Sequence, residues 1–132
     1  MISWLTNSNI TYDMLKGQKS PEIRGGNYYE YEVIKILKNN FDLSFEKSVL
    51  RKNNEKITNY LRRVKKYSFE KKILIKTPML IPFSKNNRRN INIGIIHHID
   101  KNYSFKNFVY NRLIISGAKK LNYLVVVSDH WK

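Results

Sequence analysis

The sequence predicts an α/β fold: a mostly parallel sheet flanked by helices on both faces, Rossmann-like, in one domain over residues 1–132. Three observations predict it. Strand-like apolar runs alternate with segments of helical period. The runs are nearly continuous in apolar character, as strands covered on both faces must be. A length of 132 residues with 42% hydrophobic content fits one domain of ordinary size with its own core.

The elements follow in order. "ISWLT" is a short first strand. The polar stretch "NSNITYDMLKGQKSPEIRGGN" reads as a long connection, with turn residues at Gly17, Pro21, Gly25 and Gly26. In "YYEYEVIKILKNN", Tyr29, Val33, Ile36 and Leu37 recur on one helical face. "FDLSFEKSVL" alternates in part and reads as a strand. "NEKITNYLRRVKKYSF" is a second amphipathic helix. Its spacing turns Ile57, Tyr60, Leu61 and Val64 inward and Arg62, Arg63, Lys65 and Lys66 outward.

"KILIKTP" is a strand stopped by Pro78, and the turn-rich "MLIPFSKNNRRN" follows it. "INIGIIHHI" is an apolar strand. "SFKNFVYNRLIISGAKKL" is a helix that presents Tyr110, Leu113, Ile114, Gly117, Ala118 and Leu121 on one face. "YLVVVSDHWK" holds a last β-branched strand. In parallel sheets, function gathers on the loops that leave the carboxyl ends of the strands. "HHID" and "SDH" both fall there.

The formal net charge is +15, from 25 basic and 10 acidic residues. Such a field attracts anions: nucleic acid, anionic headgroups or phosphorylated substrates. The same lysines also follow from A/T-rich codons, which Lys, Asn and Ile share, so charge alone selects no partner. There are no cysteines, which excludes disulfides, thiolate metal sites and a Cys nucleophile. No apolar run approaches the roughly 20 residues of a membrane span, and the N-terminus lacks a signal-peptide pattern. The chain therefore reads as soluble, with a reducing compartment such as the cytoplasm expected.

Two of the three histidines, His97 and His98, stand beside Asp100 at a strand end. Adjacent strand residues face opposite ways, so the pair is not a shared metal site, and no HExxH spacing is present. An imidazole at a carboxyl edge serves either as general acid–base and hydrogen-bond donor to substrate or as a packed core residue. Arg24, Gly25 and Gly26 precede a helix, whose N-terminal N–H groups suit an anion, although the pattern is neither GxGxxG nor a P-loop. Asp42, Glu46 and Lys47 resemble nuclease acidic pairs only faintly, because the Glu-x-Lys of the following strand is missing.

The ordered set of "RGGNYYEYE", "IIHHID" and "LNYLVVVSDHWK" resembles the N-terminal half of the first domain of GT-B fold glycosyltransferases, family 4 in particular. The resemblance covers essentially the whole chain, most specifically residues 24–37, 91–100 and 121–132. It implies a glycosyltransferase that moves a sugar from a nucleotide-sugar to a glycan or lipid-linked acceptor. No cofactor or metal is implied; the nucleotide-sugar is a co-substrate. Gly25 and Gly26 would form the loop near the donor phosphates. His98 and His97 would stand at the cleft, with Arg24, Asp100 and Ser128 on its edge. In the family this domain continues, and a second Rossmann-like domain supplies most of the donor site, including a pair of glutamates. The 132 residues contain neither, so the chain alone is expected to be catalytically incomplete and to need a C-terminal domain, from its own gene or a partner chain. An anionic membrane surface, met through Arg62, Arg63, Lys65 and Lys66 at the inner face, is a further expected partner. The competing reading is a basic, non-catalytic module for nucleic acid or an anionic surface; no nucleic-acid-binding motif fits the spacing, and nucleic acid is not expected.

Overall fold

The computed structural model describes residues 1–17, 25–70, 73–96 and 104–127. The strands are β1 (Ile2–Leu5), β2 (Leu43–Phe45), β3 (Ile73–Lys76), β4 (Ile91–Ile96) and β5 (Tyr123–Val126). They form one five-stranded sheet of order β2-β1-β3-β4-β5, parallel at every pairing. The helices are α1 (Asn9–Leu15), α2 (Gly25–Asn40), α3 (Ile57–Lys66), α4 (Leu80–Phe83) and α5 (Phe105–Ala118). The expected α/β class and parallel sheet are thus observed.

Side-chain alternation along the strands builds two layers. Trp4, Ile75 and Ile95 point to the face covered by α1 and α2, where Ile34 completes a buried cluster with Leu15, Tyr29, Val33 and Leu37 around it. Leu5 and Leu74 point to the other face and meet Val49, Tyr60, Val64 and Leu80. Further along that face, Ile96 meets Ile81 and Ile114.

Several local expectations shift. The polar connection after β1 contains α1, because Ser8 caps it by accepting a hydrogen bond from the Thr11 N–H. Gly25 and Gly26 are the first turn of α2 rather than a loop ahead of it. Within α2, Tyr29, Val33 and Leu37 pack on the core as expected, but Ile36 is 60% exposed, and the fully buried residues are Glu30 and Ile34. In α3, Tyr60 and Val64 are buried as expected, but Ile57 sits at the exposed first turn.

Arg63 does not join the outward basic face. Its guanidinium pairs with Glu55 and donates to the backbone carbonyls of Ser48 and Leu50. It also lies over the Tyr60 ring. It therefore closes the connection between β2 and α3 and leaves Arg62, Lys65 and Lys66 exposed. Hydrogen bonding to Arg63 holds the Glu55 carboxyl at a pKa of about 2.

β5 departs most from a strand buried on two faces. All four of its side chains are exposed, and no described strand lies beyond it. No described helix is long and apolar enough to cross a membrane.

Candidate functional site at the carboxyl edge

The sheet order makes the chain reverse direction at β1. The connection from β1 leads outward to β2, and the next returns past β1 to β3. The crevice outside the carboxyl ends of β1 and β3 is therefore the topological switch point, where ligands bind in open α/β sheets.

The first residues beyond those ends are polar and buried. Thr6 follows β1, and Thr77 follows β3, its N–H donating to the Leu5 carbonyl at 3.1 Å. The Thr77 hydroxyl is buried and has no hydrogen-bond partner among the described residues. Glu30, on the second turn of α2, is only 4% exposed. The Thr11 hydroxyl donates to its Oε2 at 2.6 Å and the Thr6 hydroxyl at 3.3 Å. Trp4 also favours the charged carboxylate, although its indole N–H makes no hydrogen bond of normal geometry. Burial outweighs these three groups and pushes the Glu30 pKa up. One carboxyl group thus joins the end of β1 to α1 and α2.

The raised pKa sets a pH dependence. A carboxyl that holds its proton more tightly when folded stabilises the fold at acid pH, and that contribution is lost as pH rises through the folded pKa. Gln keeps both threonine hydrogen bonds and cannot ionise. Glu30→Gln is expected to match or exceed the wild-type melting temperature at pH 8, with the difference vanishing near pH 4. A thermal scan between these limits checks it, and a lower melting temperature for Glu30→Gln at pH 8 contradicts it.

Beside the switch point, an open cleft of about 560 Å³ lies between α1 and the connection after β2. Tyr12, Lys47, Arg51 and Lys52 line it, with Asp13 as its acidic residue. The Tyr12 ring packs on Phe45, the last residue of β2, at a centroid distance of 5.2 Å. Lys16 and Lys47 place their ammonium groups 4.5 Å and 5.7 Å from the same ring. Hydrogen bonding to Lys16, then Lys47, holds the Tyr12 phenol below its ordinary pKa. The cleft thus joins cations and a polarised phenol at a carboxyl edge, which is a chemistry suited to phosphate groups.

Of the expected site residues, Gly25 and Gly26 begin α2. Arg24, His97, His98, Asp100 and Ser128 lie outside the described residues. Among the described residues, β4 runs to Ile96 and β5 to Val126. Among the described residues, no three His, Asp or Glu side chains gather as a metal site would require.

Sequence reasoning missed Glu30, Thr6, Thr11 and the Tyr12 cleft. The signal for Glu30 was present: Glu30 and Ile34 follow helical spacing with Leu37, beside Tyr29 and Val33 of the stripe chosen.

No family model matches the chain, and neither a curated protein nor a solved structure does.

Proposed function

We propose that the chain is the N-terminal, acceptor-side part of a glycosyltransferase that transfers a sugar from a nucleotide-sugar. The single observation that carries this reading is the basic cleft at the carboxyl edge of a doubly wound parallel sheet, beside the switch point. The sequence resemblance supplies the reaction class. In this reading, Gly25 and Gly26 approach the donor phosphates at the N-terminus of α2. Lys47, Arg51 and Lys52 offset the charge of the departing diphosphate. His98, with His97 as its neighbour, donates hydrogen bonds to the transferred sugar or the acceptor, and Arg24, Asp100 and Ser128 belong to the edge of the cleft between this domain and the second one. Catalysis rests on positioning and charge stabilisation rather than on a strong base.

The second domain that completes the donor site comes from a partner chain or a continuing one. Without it the chain is a half-site that works in the cytoplasm, with a glycan or lipid-linked acceptor presented at the inner membrane face. The exposed Arg62, Lys65 and Lys66 of α3 suit an anionic membrane surface there.

The test is an NMR titration of this chain with nucleoside-diphosphate sugars. A half-site is expected to bind at roughly millimolar strength, about −4 kcal/mol. Shifts should cluster on the amides of Thr6, Gly25, Gly26, Lys47 and Thr77. Shifts confined to Asn90 and Asn92 at the opposite edge would reject the site. A micromolar dissociation constant for the chain alone would reject its incompleteness.

A further inference from the structure

The face of the sheet opposite α2 has an unfilled place in its helical layer. α3 and α5 are helices of 10 and 14 residues, whereas α4 between them has 4. Ser84 ends α4, its hydroxyl donating to the Leu80 carbonyl, and the chain returns to β4 without further helix. α5 sits close on α4 because residue 117 is glycine: a Cβ there would lie 2.8 Å from the Pro82 Cα. Beyond this contact the layer opens into a groove of about 580 Å³. That is within the range of small-molecule sites.

The groove has two kinds of lining. Leu61, Ile81, Phe83 and Leu113 give it an apolar wall. Lys65, Lys85 and Lys120, one from each surrounding segment, give it three exposed ammonium groups. No acidic residue lines it.

A second observation points to an anion. Lys76, the last residue of β3, is fully buried behind the segment that carries Lys85. Its Nζ donates to the Lys85 carbonyl and to Asn86 Oδ1, both neutral oxygens. Among the described residues no carboxylate pairs with it. A buried ammonium without a counter-ion is costly, and a negative group nearby relieves that cost. Burial accordingly lowers the Lys76 pKa to about 8.

We propose that the groove between α3, α4 and α5 binds a single lipid monophosphate, its chain on Leu61, Phe83 and Leu113 and its phosphate among Lys65, Lys85 and Lys120. The charge pattern selects the phosphate, and the apolar wall selects the chain. A free phosphate would leave the wall unused, and a neutral amphiphile would leave the three lining cations unmatched. This site is separate from the carboxyl-edge cleft and does not depend on the glycosyltransferase reading.

Dodecyl phosphate below its micelle concentration is the probe, followed by calorimetry and by methyl NMR. One-to-one binding is expected, with shifts at Leu61 and Leu113. Dodecyl maltoside and inorganic phosphate should each bind at least tenfold more weakly. The double variant Lys65→Glu/Lys120→Glu changes exposed residues only and should weaken dodecyl phosphate tenfold or more at an unchanged melting temperature. Leu113→Asp should weaken it similarly by spoiling the chain site. Equal affinity for dodecyl maltoside, or an unchanged affinity in the double variant, overturns the proposal. So does sedimentation with anionic vesicles without any groove shift from the monomer, which would assign the charge to a flat membrane surface.

Discussion

Trp4→Ala should cost about 3–5 kcal/mol, the ordinary loss for a buried tryptophan cut back to alanine. Trp4 has no exposed surface and fills the space between β1 and α2, against Ile34, Ile75 and Ile95. Few nearby side chains can move into the space left, because the strand backbones and α2 fix them. Domains are stable by roughly 5–15 kcal/mol in all, so this one change removes about a fifth of that or more. A urea midpoint measured at constant m-value reads it directly. A loss under about 1 kcal/mol would mean that α2 does not lie on β1 as described.

The second large effect concerns Gly117. A Cβ at this position would meet backbone: the Pro82 Cα at 2.8 Å, and the Ile81 oxygen and Pro82 nitrogen at 3.0 Å. Backbone of a packed turn cannot step aside as a side-chain tip can. Gly117→Val should therefore cost about 3 kcal/mol by forcing α5 off α4. Gly117→Ala should still destabilise, although alanine gains about 1 kcal/mol over glycine within a helix. Gly94 is the control. A Cβ there meets the Leu121 Cδ1 at 2.5 Å and the Ile81 Cδ1 at 2.9 Å, both ends of flexible side chains. Gly94→Ala should cost less than Gly117→Ala in the same denaturant series. The reverse order would contradict the close α4–α5 contact.

The parallel sheet was legible because its signal is redundant. "KILIKTP" and "INIGII" are apolar at successive positions, which only two covering layers explain. The helix period in α3 and α5 placed Tyr60, Val64, Ile114 and Gly117 inward, and all four are buried. What failed was local. The stripe of α2 went to Ile36 instead of Ile34 because three aromatic and two acidic residues crowd its start, and burial of Glu30 runs against composition. α1 was hidden because its sequence, "NITYDML", is only half apolar; its stability comes from the Ser8 cap and the tie from Thr11 to Glu30. Arg63 looked solvent-facing by spacing, since nothing in the sequence shows that two backbone oxygens and Glu55 converge on it. β5 reads as a covered strand in "YLVVV", yet its exposure depends on its place at the edge, which composition does not record.

The site was legible only through topology. Strand ends could be marked, and "HHID" and "SDH" follow from them, while "RGG" was marked by the helix it precedes. The cleft of Tyr12, Lys47, Arg51 and Lys52 required the fold, because Tyr12 and Lys52 are brought together by packing of Tyr12 on Phe45.

The central claim is that the carboxyl edge of this sheet is a sugar-nucleotide half-site in which the strand-end histidines take part. The most direct test is the NMR titration with a nucleoside-diphosphate sugar, run on wild type, His97→Ala and His98→Ala, each with its melting temperature. The account predicts that His98→Ala weakens binding about tenfold, ~1.4 kcal/mol, at an unchanged melting temperature. It predicts that His97→Ala chiefly lowers the melting temperature. Wild-type affinity in both variants, with the Thr6, Gly25 and Thr77 amides unmoved by ligand, would contradict it.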